Sequence, residues 1–137
     1  MSMFNIFDIA GSGMSAQSLR LNTTASNLAN ADSVSSSVEQ VYRARQPVFA
    51  TVLNEMQQGY KPGSVQVQGV VESQAPVRSE YNPTHPLANE DGYVFHSNVD
   101  PMTEMANMMS ASRSYQNNVE IADTSKQLLL RTLQLGQ

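Results

Sequence analysis

Cysteine is absent from the 137 residues. A small secreted domain held by disulfides is thereby excluded, as are a thiolate metal site and a cysteine nucleophile. Charge is scarce as well. Charged residues make up 15% of the chain, against about 25% in an average soluble domain, and small uncharged residues fill the gap, so less of the surface is built to face water. The charges sum to −4, the wrong sign for a general nucleic-acid binder, which needs a basic face to displace counterions. There is no polybasic run to hold an acidic membrane surface. No stretch approaches the roughly 18 apolar residues of a membrane span, so direct membrane insertion is not expected. The opening MSMFNIFDIAGSGMSAQSL lacks a basic n-region and a continuous apolar core, so a cleaved Sec-type leader is not expected either.

Catalytic signatures are missing in the same way. The chain has no GxSxG, no P-loop and no GxGxxG. Its two histidines, His85 and His96, lack the i, i+4 spacing of helical metal ligands. His85, between Pro83 and Pro86, reads as a turn residue. Glycoside hydrolysis needs two carboxylates about 5–10 Å apart. Glu72, Glu80, Glu90, Asp91 and Asp100 could supply such a pair, but nothing in the sequence singles one out, and Glu90-Asp91-Gly92 reads as a solvated turn. No cofactor or metal is implied, and an enzyme is not expected.

What is present falls into three parts. The length suits one domain, or one core with a small appendage. Residues 3–31 and 101–135 read as long helices. Between them lie five of the six prolines and most of the β-type alternation. This predicts a mainly α fold in which the terminal helices pack as an antiparallel, coiled-coil-like pair, with a small antiparallel β-rich middle. Residues 1–32 and 98–137 would form the helical assembly part, and 33–97 the β-rich part. In the first helix Phe7, Met14, Leu21 and Leu28 recur every seven residues, with Phe4, Gly11, Ser18 and Ala25 three positions before each, the spacing of a coiled-coil seam. Gly11 and Gly13 weaken an isolated helix by about 1 kcal/mol each relative to Ala, so this helix is expected to form fully only against partners. In the second helix Met105, Met108, Ser112, Tyr115, Val119, Ala122, Lys126, Leu129 and Leu133 follow the same rhythm. Asp100-Pro101 is a good helix start and Gly136 a plausible end. Met102, Met109, Ile121, Leu128, Leu130 and Leu135 fall off this seam, more apolar surface than a two-helix hairpin covers. In the middle, residues 41–53 and 64–72 read as strands, with Pro47 arguing against an interior position and Gly69 marking a bulge. Gly59 and Pro62-Gly63 bracket a turn, Tyr93–Phe95 reads as a short strand, and Ser33–Ser37 as a flexible link.

The most specific local signal is Ala25-Ser26-Asn27-Leu28-Ala29-Asn30-Ala31. Asn is poor inside helices and favours caps and turns, so Asn27 and Asn30 point to a helix end, with side chains bonding local backbone or a neighbouring subunit. This run resembles the SNNLAN-type motif of the flagellar rod and hook axial protein family. Asn82-Pro83-Thr84-His85-Pro86-Leu87-Ala88, Asp91-Gly92-Tyr93-Val94, Ser97-Asn98-Val99-Asp100, Glu104-Met105 and the run Ala111–Val119 are similar to proximal rod members of it, as is the opening Phe4–Ser12. Asn117 stands where Ala is expected, and Ser97 where Pro is. The resemblance covers roughly residues 3–31 and 70–136.

The resemblance implies a structural subunit of the basal-body proximal rod. Terminal helices would pack around an export channel and transmit torque, with the β-rich part further out. It also implies export in unfolded form through the flagellar type III apparatus, a location spanning the periplasm, and contacts with copies of itself, other rod proteins, and basal-body adaptor and MS-ring components. The residues expected to carry assembly are Phe4, Phe7, Met14, Leu21, Asn27, Leu28 and Asn30 on the first helix, and Met105, Met108, Tyr115, Val119, Leu129 and Leu133 on the second. A charge placed at Leu28 or Leu129 is expected to block it. The competing readings are another rod protein of the same family, or an export adaptor or chaperone with a helical groove.

Overall fold

A computed structural model describes residues 3–52 and 63–136, with side chains described for 5–51 and 63–136. The Phe4 side chain, and Gly59 and Pro62 of the expected turn, lie outside the described residues. The elements run α1 (Met3–Ala29), β1 (Val34–Ser35), β2 (Arg45–Val52), β3 (Ser64–Glu72), β4 (Arg78–Tyr81), β5 (Tyr93–His96) and α2 (Pro101–Leu135). The fold is mainly α. The two long helices pack against each other, antiparallel, with Gly13 facing Asn118, Arg20 meeting Asn107 and Asn27 meeting Glu104. Among the described residues no helix is long and apolar enough to cross a membrane.

The start of α2 and the ends of both helices have local chemical causes. Asp100 caps α2 in extended backbone, accepting from the Met102 N–H with Pro101 in the first turn. Bonds from the Thr103 hydroxyl, then from the Met102 N–H, hold its carboxyl below the ordinary carboxylate range. At 35 residues, α2 is about 50 Å long. Gly136 ends it, its N–H donating to the Leu133 carbonyl. Asn30 ends α1. Its amide donates to the Ser26 carbonyl at 2.8 Å, and its own carbonyl accepts from the Ser33 N–H at 3.1 Å and the Ser33 hydroxyl at 2.8 Å.

The β-rich middle is two small antiparallel sheets. β2 pairs with β3, with a register break between Val48 and Phe49. Val48 faces Gly69 and Phe49 faces Val67, so the extra residue, Gln68, sits beside the glycine expected to mark a bulge. Pro47 is accommodated because both strands of a two-stranded sheet are edges. This hairpin lies along α1 and is tied to it near both ends. The Val65 N–H donates to Ser12 Oγ at 3.1 Å, and Asn27 bonds the Arg45 backbone. Ser12 to Asn27 spans about 22 Å of helix, and Arg45 to Thr51, the partner of Val65, about 20 Å of strand.

The second sheet has the order β1-β5-β4. It corrects one expectation: Val34 and Ser35, read as part of a flexible link, pair with His96 and Phe95, and the Ser97 N–H extends the contact to the Ser33 carbonyl at 3.1 Å. β4 was not anticipated. Its four residues are all exposed, so no alternation betrays it. His85 shapes a turn, its Nδ1 accepting from the Leu87 N–H at 3.1 Å. Gly92 has φ +80°, and a Cβ there would lie 2.9 Å from Tyr81 and 3.1 Å from Pro83.

Candidate assembly surface

Burial in this chain runs against side-chain size. Among the described residues the buried apolar set is Ala10, Ala16, Val41, Ala44, Val94, Val99 and Ala111, none larger than valine. The largest fully buried side chain is that of Asn27, 1% exposed. The helix pair closes over Ala16, Thr23, Thr24 and Asn27 from α1 and Glu104, Ala111 and Ser125 from α2. The hydroxyls there are satisfied by their own helices: Thr23 donates to the Leu19 carbonyl, Thr24 to Arg20 and Ser125 to Ile121. Small side chains that need no outside partner let the two backbones approach closely.

Asn27 is the junction of the three layers. Its amide donates to the Arg45 carbonyl at 2.8 Å and to Glu104 Oε2 at 3.1 Å. Its Oδ1 accepts from the Arg45 N–H at 2.9 Å and from the Tyr42 hydroxyl at 3.0 Å. Two bonds to one residue's backbone imitate a neighbouring strand, so the amide extends the β2 edge onto α1. All four hydrogen-bonding valences of the group are used. Glu104, 6% exposed, is brought in at the start of α2. An open cleft of about 370 Å³ adjoins the junction, lined in part by Arg20, Arg45, Glu104 and Asn107.

The residues expected to carry assembly are placed as follows. Asn27 is buried in the junction and Asn30 caps α1. Phe7, Met14, Leu21 and Leu28 are half-buried. Met108 and Leu129 are half-buried, while Met105, Tyr115, Val119 and Leu133 are exposed, Leu133 at 62%. As the contact line between the helices of one chain, the heptad reading of α2 is therefore displaced by about one position. Glu104, Ala111 and Ser125 occupy the contact, while neighbouring positions with larger side chains face out. A search for apolar repeats passes over Glu104, because a buried carboxylate carries no hydrophobic signal.

The exposed side is extensive. Met102, Met109, Ile121, Leu128, Leu130 and Leu135 are all exposed on α2. Two open depressions lie along it, one of about 490 Å³ around Ile121 and one of about 380 Å³ between Met109 and Arg113. The chain's accessible surface is 9754 Å². A folded monomer of 15.0 kDa exposes about 7,000 Å². The carboxylates a hydrolase would need are not assembled into a site: Glu72 pairs with Arg45 at 3.2 Å, and Glu90 and Asp91 lie in an exposed turn of the other sheet. Among the described residues no group of three or more His, Asp or Glu is disposed to hold a metal.

Comparison with known proteins identifies the family. Residues 7–35 match the family model "Flagella basal body rod protein", and residues 90–135 the model "Flagellar basal body rod FlgEFG protein C-terminal". Over 137 residues, covering all of both chains, the sequence is 54% identical to the flagellar basal-body rod protein FlgC of Salmonella typhimurium. It is 55% identical to that of an Escherichia coli O6:H1 strain, again over both full lengths. The FlgC of Buchnera aphidicola from Acyrthosiphon pisum is 42% identical, also with full coverage of both chains. With both terminal segments matched by family models and its full length by curated relatives, the chain belongs to the FlgC family of flagellar basal-body rod proteins and is a structural subunit of the basal-body rod, not an enzyme.

Proposed function

We propose that this subunit polymerises through its two terminal helices with copies of itself and with other rod proteins. The helices form the wall of the proximal rod, line its export channel and carry torque. The β-rich middle sits further out. In this reading the chain reaches its place through the flagellar type III export apparatus. It spans the periplasm as part of the rod and abuts basal-body adaptor and MS-ring components. The observation that carries the reading is the inverted burial of the helix pair. Alanine, hydroxyl and amide groups fill the contact within one chain, while leucine, methionine and isoleucine face outward, where only other subunits can cover them. Burying such side chains contributes about 1.5–3 kcal/mol each, so assembly has a driving force that the isolated chain leaves unused.

The test is Leu133→Asp. At 62% exposure the change costs the isolated subunit little. In a packed wall it buries a carboxylate without a partner, at several kcal/mol. The expected outcome is an unchanged circular dichroism spectrum of the purified protein together with loss of swimming and of rods in isolated basal bodies. Wild-type motility in this variant contradicts the proposal. A tight, discrete dimer of the wild-type protein at micromolar concentration favours the export-adaptor reading instead.

A further inference from the structure

Two surfaces of this chain complement one another but do not meet within it. The first is one face of the β1-β5-β4 sheet. Side chains alternate along a strand, so the buried Val94 points one way while Tyr93 and Phe95 point the other. Tyr81 pairs with Tyr93 across the ladder, their rings 5.3 Å apart and edge to face. Arg78 and Glu80 alternate to the opposite side, where Glu80 Oε2 lies 3.0 Å from His96. Tyr81 is 65% exposed, and among the described residues no helix packs on this sheet. At the rim, Glu90 and Asp91 stand exposed on a turn braced by Asn89, whose Oδ1 accepts from the Asp91 and Tyr93 N–H groups at 3.1 and 2.8 Å. The result is a firm aromatic platform with a pair of carboxylates at its edge.

The second surface is the outer stripe of α2. At about 100° per residue, Met102, Met105, Met109 and Arg113 fall within a band about 80° wide, on the side opposite Glu104, Ala111 and Ser125. Met102 is 74% exposed, and Met105 and Met109 are exposed too. Thioethers pack well on aromatic rings. A guanidinium pairs with carboxylates and stacks on tyrosine faces. Stripe and platform are thus matched in both apolar character and charge.

Resting on the polymerisation reading above, we infer that the Tyr81/Tyr93 platform of one copy receives the Met102–Arg113 stripe of α2 from a second copy. Because two different patches meet, the contact is head-to-tail. Such a contact propagates from subunit to subunit instead of closing as a symmetric pair.

The cysteine-free chain makes the test direct. A double variant, Glu90→Cys with Ala106→Cys, is expressed in motile cells and treated with a short thiol crosslinker. A ladder of covalent oligomers is expected from the double variant and none from either single variant. No ladder, or equal dimers from a single variant alone, overturns the inference. A charge swap gives an independent readout: Asp91→Arg or Arg113→Asp alone is expected to reduce swimming at least tenfold, and the two together to restore it. Single variants that swim normally count against the interface. The two readings fail separately. Absence of the ladder while Leu133→Asp still abolishes rods removes this interface and leaves the rod reading intact. Wild-type motility in Leu133→Asp removes the reading beneath it.

Discussion

Asn27 joins three elements with one side chain. Among the described residues its neighbours have no replacement for it: the Arg45 backbone groups meet no other strand on that side, and the buried Glu104 carboxylate takes its one side-chain hydrogen bond from the Asn27 amide. Leaving buried polar groups unpaired costs about 1–3 kcal/mol each. Asn27→Ala is therefore expected to destabilise the purified chain by about 3 kcal/mol, read as a lower midpoint in urea with an unchanged m-value. Little change in the midpoint would show that Arg45 and Glu104 find other partners. The sequence motif announced Asn27 and Asn30 as a pair at a helix end. Asn30 does act locally, on the Ser26 carbonyl. Asn27 instead reaches residues 18 and 77 positions away, and no local pattern encodes such a distance. The Asp100 carboxyl is a simpler residue-scale case. Its pKa is lowered in the fold, so the stabilisation it gives α2 is complete above the ordinary value of 3.8 and fades as the pH falls through the lower folded value.

At the scale of the element, the two glycines of α1 separate cleanly. A Cβ on Gly11 meets nothing within 4 Å, whereas one on Gly13 would lie 2.8 Å from the Asn118 amide nitrogen. Gly11→Ala is expected to stabilise the helix by about 1 kcal/mol through propensity alone. Gly13→Ala should gain less or nothing, because the Asn118 side chain must be displaced. Thermal unfolding of the two variants measures the difference, and equal gains would mean that the helices do not approach closely at this point. α2 was legible to both its ends because its signals are adjacent in sequence: an Asp-Pro start, a long apolar rhythm, and a glycine past the end. α1 was legible for the same reason, ending two residues earlier than the pattern suggested. β3 and the bulge beside Gly69 were visible as alternation and a break in it. β1 and β4 were not visible, since two serine-flanked residues and four exposed ones carry no hydrophobic period. Their existence depends on β5 lying between them.

For the whole molecule, the helix pair is anchored at one end and sparsely buried at the other. The junction of Asn27, Glu104 and Arg45 holds the end nearest the sheets. Beyond Ser125, α2 has no buried residue. Dilute protein is accordingly expected to show clearly less helix by circular dichroism than the 27 and 35 residues of α1 and α2, and the missing helix should appear on assembly. A monomer with full helicity and one cooperative melting transition would argue that the helices need no neighbours. On the proposed assembly, the low charge of the chain and its exposed leucines and methionines have one cause at this scale, since a subunit enclosed on several faces needs little surface suited to water.

Residue order alone was enough to place both long helices and most of their ends, the mainly α character, the hairpin with its bulge, and an excess of apolar surface over what a helix pair covers. These follow from interactions between residues near in sequence, or from composition. Which face of each helix turns inward was settled in three dimensions. The heptad pattern marks where large apolar side chains line up, but not whether the surface that covers them belongs to the same chain. Here the close approach of two backbones selects small and polar residues for the inner contact. The larger apolar side chains of α2 are left outside because Glu104, Ala111 and Ser125 occupy the inner contact.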